Sequence, residues 1–252
     1  MVIAPLAGCA GPSRPASWED VVSTLLGSDY GLRSGGTFGL ERVRVVESDP
    51  VDRALEVRFP SGSASPEVHR ETGAPSGGAQ FYAELRKGAV ESATLRYSVR
   101  FPEGFDFVRG GKLPGLYGGT ATAGGRTPSG DDGFSTRYMW RSAGEGEVYA
   151  YLPKSDEVGT SLGRGSWSWP TGRWVATEQE VVLNTPGRAD GRLTVRIDGK
   201  QVLKLDDVVF RDADGVRIDG LFFSTFFGGG DPSWATPVDQ SVQFADFRVL
   251  TR

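Results

Sequence analysis

Alternation of apolar and polar residues with a period of two dominates this chain. From Thr94 to Phe101, Leu95, Tyr97, Val99 and Phe101 fall on one side, and Arg96, Ser98 and Arg100 on the other. Leu193, Val195 and Ile197 repeat the pattern, and Asp198-Gly199 then supplies a tight hairpin turn before Val202, Leu203 and Leu205. Leu221 to Phe227 is continuously apolar and suits a buried central strand, while Val242 to Leu250 makes the last strand. A helical pattern stands out in one place. Ser17 is a candidate N-cap with Asp20 three residues on, Val21, Val22, Leu25 and Leu26 form an apolar face, and Gly27 is a stop. About ten strand-like runs, punctuated by turns, predict an all-β antiparallel sandwich of the jelly-roll kind with one short N-terminal helix. The 36 glycines and 15 prolines fall mostly between these runs, as turn residues should. The organisation expected is a tail over 1–17 and a single domain over 18–252, working as a monomer.

Charge and rare residues narrow the chemistry. A formal net charge of −4 argues against nucleic acid as a partner, so any polyanion has to be held by a local cationic patch. One cysteine excludes an internal disulfide, and one histidine leaves too few ligands for a Cys/His zinc site. No serine sits in a GxSxG elbow. Leu6-Ala7-Gly8-Cys9 resembles the lipobox of a bacterial lipoprotein. It implies export, a lipid anchor at Cys9, and an extracellular or cell-surface location.

Three segments place polar groups where a sheet face is usually bland: Gly110–Gly119, Phe134–Arg141 and Glu147–Leu152. Ser135, Arg137, Met139 and Arg141 share one face of the second segment. Glu147, Tyr149 and Tyr151 share one face of the third. A hairpin through Ser142–Gly146 would set Ser135 and Arg137 beside Tyr149 and Tyr151, with Lys112 reaching in from a neighbouring strand. Such a set suits β-elimination at a uronic acid. The C5 proton next to the carboxylate is a very weak acid, and a cation that neutralises the carboxylate stabilises the enolate-like charge that develops. A base takes the proton and an acid protonates the departing C4 oxygen. Nearby Lys and Arg charges are expected to favour a tyrosine phenolate. A glycoside hydrolase would need two facing carboxylates, and Glu147 has no evident second acid beside it. A non-catalytic carbohydrate-binding module would not need Lys, Arg and two Tyr to converge.

Gly-Gly-Lys-Leu-Pro-Gly-Leu-Tyr-Gly-Gly from Gly110, Phe222–Gly229 and Asp231–Pro237 resemble polysaccharide lyase families 14 and 20, the alginate/glucuronate lyases and the glucuronan lyases. The resemblance covers roughly Gln80 to Leu250. It implies a β-jelly roll, an acidic polysaccharide substrate, and chemistry that requires no cofactor, with room for a structural Ca²⁺ near carboxylates such as Asp231 or Asp246. A family 14 site has a Lys in K-x-P-G, then S-x-R, then Y-x-Y, and Lys112, Ser135, Arg137, Tyr149 and Tyr151 match these in order. The roles expected are Tyr151 as base and acid, Tyr149 as its partner, Lys112 and Arg137 as carboxylate clamps, and Ser135 as an orienting hydroxyl. Gln80, Tyr82, His69 and Arg141 are candidate substrate-binding residues, His69 being placed in a loop. Trp167 and Trp169 either stack on sugar or pack under a loop. The signatures look more like the glucuronan lyases, so β-1,4-glucuronate is the expected substrate and polymannuronate the alternative.

Overall fold

A computed structural model describes residues 13–153 and 159–251. Cys9 and the lipobox-like string lie outside the described residues. In chain order the strands are Tyr30–Leu32 (β1), Val43–Ser48 (β2), Val51–Phe59 (β3), Ala79–Leu85 (β4) and Ser92–Arg100 (β5). Gly110–Gly119 (β6), Gly133–Arg141 (β7), Gly146–Tyr151 (β8) and Thr160–Leu162 (β9) follow. Trp174–Val182 (β10), Gly191–Ile197 (β11), Lys200–Val208 (β12), Ile218–Phe227 (β13) and Gln240–Thr251 (β14) complete the set. These fourteen exceed the ten or so runs visible as alternation, because β1 and β9 are only three residues long.

All the strand pairings are antiparallel and build two seven-stranded sheets. The first runs β1-β4-β13-β6-β7-β8-β9 and the second β12-β11-β10-β5-β14-β3-β2. Their inner faces pack into a sandwich of the jelly-roll kind. Tyr138 and Phe134 of β7 meet Tyr97 of β5 and Phe210, and Trp140 meets Phe59 of β3 and Phe101 after β5, all at or near complete burial. Each fully buried Phe contributes about 1.5–3 kcal/mol of hydrophobic free energy. Asp198 and Gly199 both take positive φ, as a two-residue hairpin turn demands.

The helix Trp18–Leu26 (α1) forms as its sequence dictates. Ser17 and Asp20 make a reciprocal capping box, Gly27 ends the helix, and Val21 and Val22 are buried. A second helix, Pro66–Thr72 (α2), corrects the expectation of one. Ser65 caps it, Pro66 occupies its first turn and Gly73 closes it in the left-handed conformation. Only Val68 of its residues is buried, so no apolar stripe announced it. His69 therefore lies on a helix and not in a loop.

The second sheet also fixes the geometry of the first. Pro114 lies at a bulge in β6, between Leu113, opposite Tyr138, and Gly115, opposite Arg137. Tyr97 donates its hydroxyl to the Pro114 carbonyl at 3.1 Å. Buried Gln179 of β10 accepts from Thr136 Oγ1 at 2.8 Å and from Leu116 N at 3.3 Å, and donates to the Thr136 carbonyl at 2.8 Å. These bonds cross the apolar core to satisfy backbone that the bulge takes out of the ladder.

Candidate active site

The outer face of the first sheet carries a cleft of about 630 Å³. Its floor follows from strand register. Ser135 pairs with Tyr151, Arg137 with Tyr149 and Met139 with Glu147 across β7 and β8, while Lys112 of β6 pairs with Met139. Lys112, Arg137, Arg141, Tyr149 and Tyr151 all line the cleft. The bulge at Pro114 places Lys112 and Gly115 on this same face, opposite Met139 and Arg137. Gly115 has to be glycine. A Cβ there would stand 2.1 Å from the Thr136 carbonyl oxygen. With no side chain on β6 at that point, Arg137 reaches across to β13, where its guanidinium lies 4.5 Å from the Phe222 ring centre and donates to Ser224 Oγ at 3.2 Å. Ser224 in turn donates to Gln80 Oε1 at 2.9 Å, and Gln80 donates to the Gly36 carbonyl at 2.7 Å.

Arg137 is only 3 % exposed and has no ion-pair partner among the described residues. Its Nε has no hydrogen-bond partner there either. A guanidinium so placed is a preformed receptor for a carboxylate. Lys112 is 7 % exposed, with Nζ 2.7 Å from Met139 Sδ and 3.5 Å from the Tyr149 ring centre. Burial, then the charges of Arg137 and Arg141, hold its amine well below the usual lysine range, against a smaller opposing effect of Glu147. Glu147 is fully buried and its Oε1 takes Arg141 Nη2 at 2.7 Å and Nε at 2.8 Å, fixing Arg141 on the cleft floor. Tyr149 and Tyr151 meet edge to face, 5.6 Å between ring centres. Burial and the neighbouring Tyr151 push the Tyr149 phenol up, more than Arg141 and Arg137 pull it down. The expectation that cationic neighbours favour a phenolate is thus reversed at Tyr149: desolvation of the anion wins.

The family model for polysaccharide lyase 14 matches residues 47–247. The chain belongs to polysaccharide lyase family 14. Among solved structures, the lyase is similar to the PL-14 alginate lyase from Aplysia kurodai, at 31% identity over 98% of this chain and 100% of that one, with a TM-score of 0.78. Alginate lyase vAL-1 from Chlorella virus matches at 24% identity, 88% and 91% coverage and a TM-score of 0.71. The endo-β-1,4-glucuronan lyase from the fungus Trichoderma reesei matches at 14%, 88% and 90%, with a TM-score of 0.55. These last two likenesses show the fold alone. A comparison with curated protein sequences found no match.

Not every expected residue reaches the lyase cleft. Ser135 is completely buried and donates to the Thr122 carbonyl at 2.7 Å, so it anchors the segment after β6 and cannot meet a ligand directly. His69 turns away, its Nδ1 lying 2.6 Å from the Ala74 carbonyl, and Arg70 next to it lines the cleft instead. Gln80 and Tyr82 both line the cleft, Tyr82 stacked on Phe222 at 4.4 Å. Trp167 and Trp169 are buried against each other and Tyr138, which decides for packing. The tryptophan that does line the cleft is Trp234 of Asp231–Pro237, a residue that sequence reasoning passed over. Its signal was the glycines: a Cβ on Gly229 would stand 2.2 Å from the Trp234 ring. Asp231 caps the turn at Pro232–Trp234, and Asp246 accepts from Ser98 on the other sheet, so the two share no ligand set. Among the described residues no group of three or more His, Cys, Asp or Glu could hold a metal ion.

Proposed function

We propose that this lyase cleaves β-1,4-linked polyuronates by same-side β-elimination, with polymannuronate as its preferred substrate. The observation that carries the reading is Arg137: a buried guanidinium without a carboxylate partner among the described residues, beside Lys112 and two tyrosines. Arg137 pairs with the substrate carboxylate and stabilises the charge that spreads onto it as C5–H is broken. Lys112, biased to its neutral amine, takes the C5 proton, a change from the clamp role expected for it. The electron pair left on C5 forms the C4–C5 double bond as the C4–O bond breaks. Tyr151, near Arg137, donates its hydroxyl proton to the departing oxygen, and exchange with solvent restores both groups. Tyr149 packs against the Lys112 amine and sets its direction.

Base and acid lie on one sheet face, which suits sugars whose C5 proton and C4 oxygen share a side. Mannuronate and glucuronate both qualify, and guluronate does not. Support for mannuronate over the expected glucuronate comes from the Aplysia kurodai alginate lyase, similar over the whole chain, whereas the glucuronan lyase shares far less sequence. Ultraviolet absorbance of the unsaturated product, followed on polymannuronate, glucuronan and polyguluronate, tests both levels. Polymannuronate should be fastest and polyguluronate slowest. A faster rate on glucuronan would overturn the substrate, and no unsaturated product from any of the three would overturn the lyase reading.

A further inference from the structure

The cleft extends beyond the residues that the elimination uses. Among the described residues its charged lining comprises Arg70, Lys112, Arg126, Arg137 and Arg141 against a single carboxylate, Glu67. Five basic groups to one acid is a strong local excess in a chain whose net charge is −4. Lys112, Arg137 and Arg141 belong to the sheet floor. Arg70 and Arg126 do not: they come from α2 and from the segment after β6, and both are exposed. Neither has an ion-pair partner among the described residues, while exposed Arg96, Arg173 and Arg188 elsewhere are each paired with a carboxylate.

Both carriers are anchored. In α2, Ser65 accepts from Val68 N, and Thr72 donates to the Val68 carbonyl at 2.7 Å. Arg70 follows Glu67 by three residues and Pro66 by four, which brings it to their side of the helix, and all three line the cleft. The segment that carries Arg126 is pinned at its base by the Ser135 bond to Thr122 and by the contact between the Thr120 and Thr122 hydroxyls. Arg126 also lies close enough for its charge to act on the Tyr82 phenol. Two unneutralised guanidiniums, held on separate rims of a cleft that takes a polyanion, meet carboxylates other than the one at the reacting sugar.

We infer that Arg70 and Arg126 are outer carboxylate-binding residues that hold the uronate units flanking the one being cleaved. The inference rests on the polyuronate-lyase reading and deepens it: the protein is built to grip a polymer at several carboxylates. Glu67, on the same side of α2, works against that grip. Exposed charge contacts are individually modest and sensitive to salt, so the effect belongs in KM for long chains.

The test is the KM of Arg70→Gln/Arg126→Gln on long polymannuronate and on the shortest oligosaccharide that the wild type cleaves, over a salt series. We expect the double variant to raise the polymer KM roughly two- to tenfold at low salt, with kcat at saturation within about twofold and a flatter salt dependence. The short substrate should show a clearly smaller shift. Glu67→Gln should move the polymer KM down. A polymer KM equal to wild type in the double variant, or equal rises on polymer and oligosaccharide, would overturn the inference. The wild-type rate on the same polymer tests the lyase reading separately, so the two failures are distinguishable.

Discussion

The two sheets both turn charged residues outward, yet those charges live in different surroundings. On the second sheet Glu178 of β10 stands directly between Arg96 of β5 and Arg196 of β11, bonded to them at 2.7 and 2.6 Å. These groups are partly or largely in solvent, and the shared carboxylate offsets one of the two positive charges. On the first sheet Lys112 and Arg137 are more than nine-tenths buried, and of the three cleft cations only Arg141 has a carboxylate partner among the described residues, Glu147. Withdrawing a cation from water without a counter-ion costs stability. On the outer face of the first sheet that cost drives Lys112 toward its neutral amine and leaves Arg137 as a desolvated charge at the cleft. The outer face of the second sheet is what the same alternation produces where the charges stay in contact with solvent.

The sharpest way to break this comparison is to remove the chemistry of the first sheet. Tyr151→Phe and Lys112→Met should each lower kcat by about 10²–10⁴-fold, the usual loss for a general acid or base, with circular dichroism unchanged. Tyr149→Phe keeps the ring that packs against Lys112 and should cost less. Near-normal turnover by Lys112→Met would return the base role to a tyrosine. The same variant should be more stable than wild type. The folded-state pKa of Lys112 lies below its ordinary 10.5, so the unfolded chain binds that proton more readily. The stability forfeited in this way is absent above pH 10.5 and grows as pH falls toward the folded value. The Tm advantage of Lys112→Met should therefore be present at neutral pH and vanish above about pH 10.5.

How much of this was legible in the chain depends on how local each signal is. Alternation over Phe134–Arg141 and Glu147–Tyr151, with a short hairpin between, was enough to bring Arg137 beside Tyr149, because period two and a short loop leave few registers. The same alternation over Arg96, Ser98 and Arg100 looks no different on paper, and burial of one face alone separates the two. The cleft over this face is walled by α2, the segment after β6 and the turn holding Trp234. Of these, α2 has a single buried apolar residue and gave no period to read. The Arg137–Ser224–Gln80 chain joins β7, β13 and β4, and Gln179 reaches β6 and β7 from the other sheet. Contacts at such sequence separations leave no trace in spacing. His69 misled for the related reason that one residue's turn around α2 decides between cleft and solvent, and Arg70 takes the cleft side.

A matched pair of substitutions sharpens the contrast between the sheets. Glu147→Gln removes the only carboxylate of the Arg141 pair and leaves a largely buried guanidinium uncompensated. Breaking such a pair typically costs about 3–5 kcal/mol. Some access to water at Arg141 should keep the loss near the lower end of that range, read as a fall in unfolding free energy in urea. It also removes the one negative charge that raises the Lys112 amine. The acidic limb of the kcat–pH profile should then move to lower pH, since a neutral amine persists further into acid. An unmoved profile would mean that Lys112 does not titrate in that limb.

Glu178→Gln makes the identical change on the second sheet and should do least. Glu178 contacts two arginines, twice as many as Glu147, so a count of ion pairs would rank it the more important residue. Solvent reverses the ranking. Arg96 is half exposed and Arg196 about a third, so each recovers hydration when the carboxylate is lost, and exposed pairs are typically worth about 0.2–1 kcal/mol. The expected stability loss is below about 1 kcal/mol at low salt and shrinks further as salt screens the pairs. Turnover should stay at the wild-type level, because Glu178 lies on the face opposite the cleft and contacts none of its residues. If Glu178→Gln destabilised the fold as much as Glu147→Gln does, the difference between the two faces would not be one of desolvation, and the account of why Lys112 and Arg137 are primed would lose its physical basis.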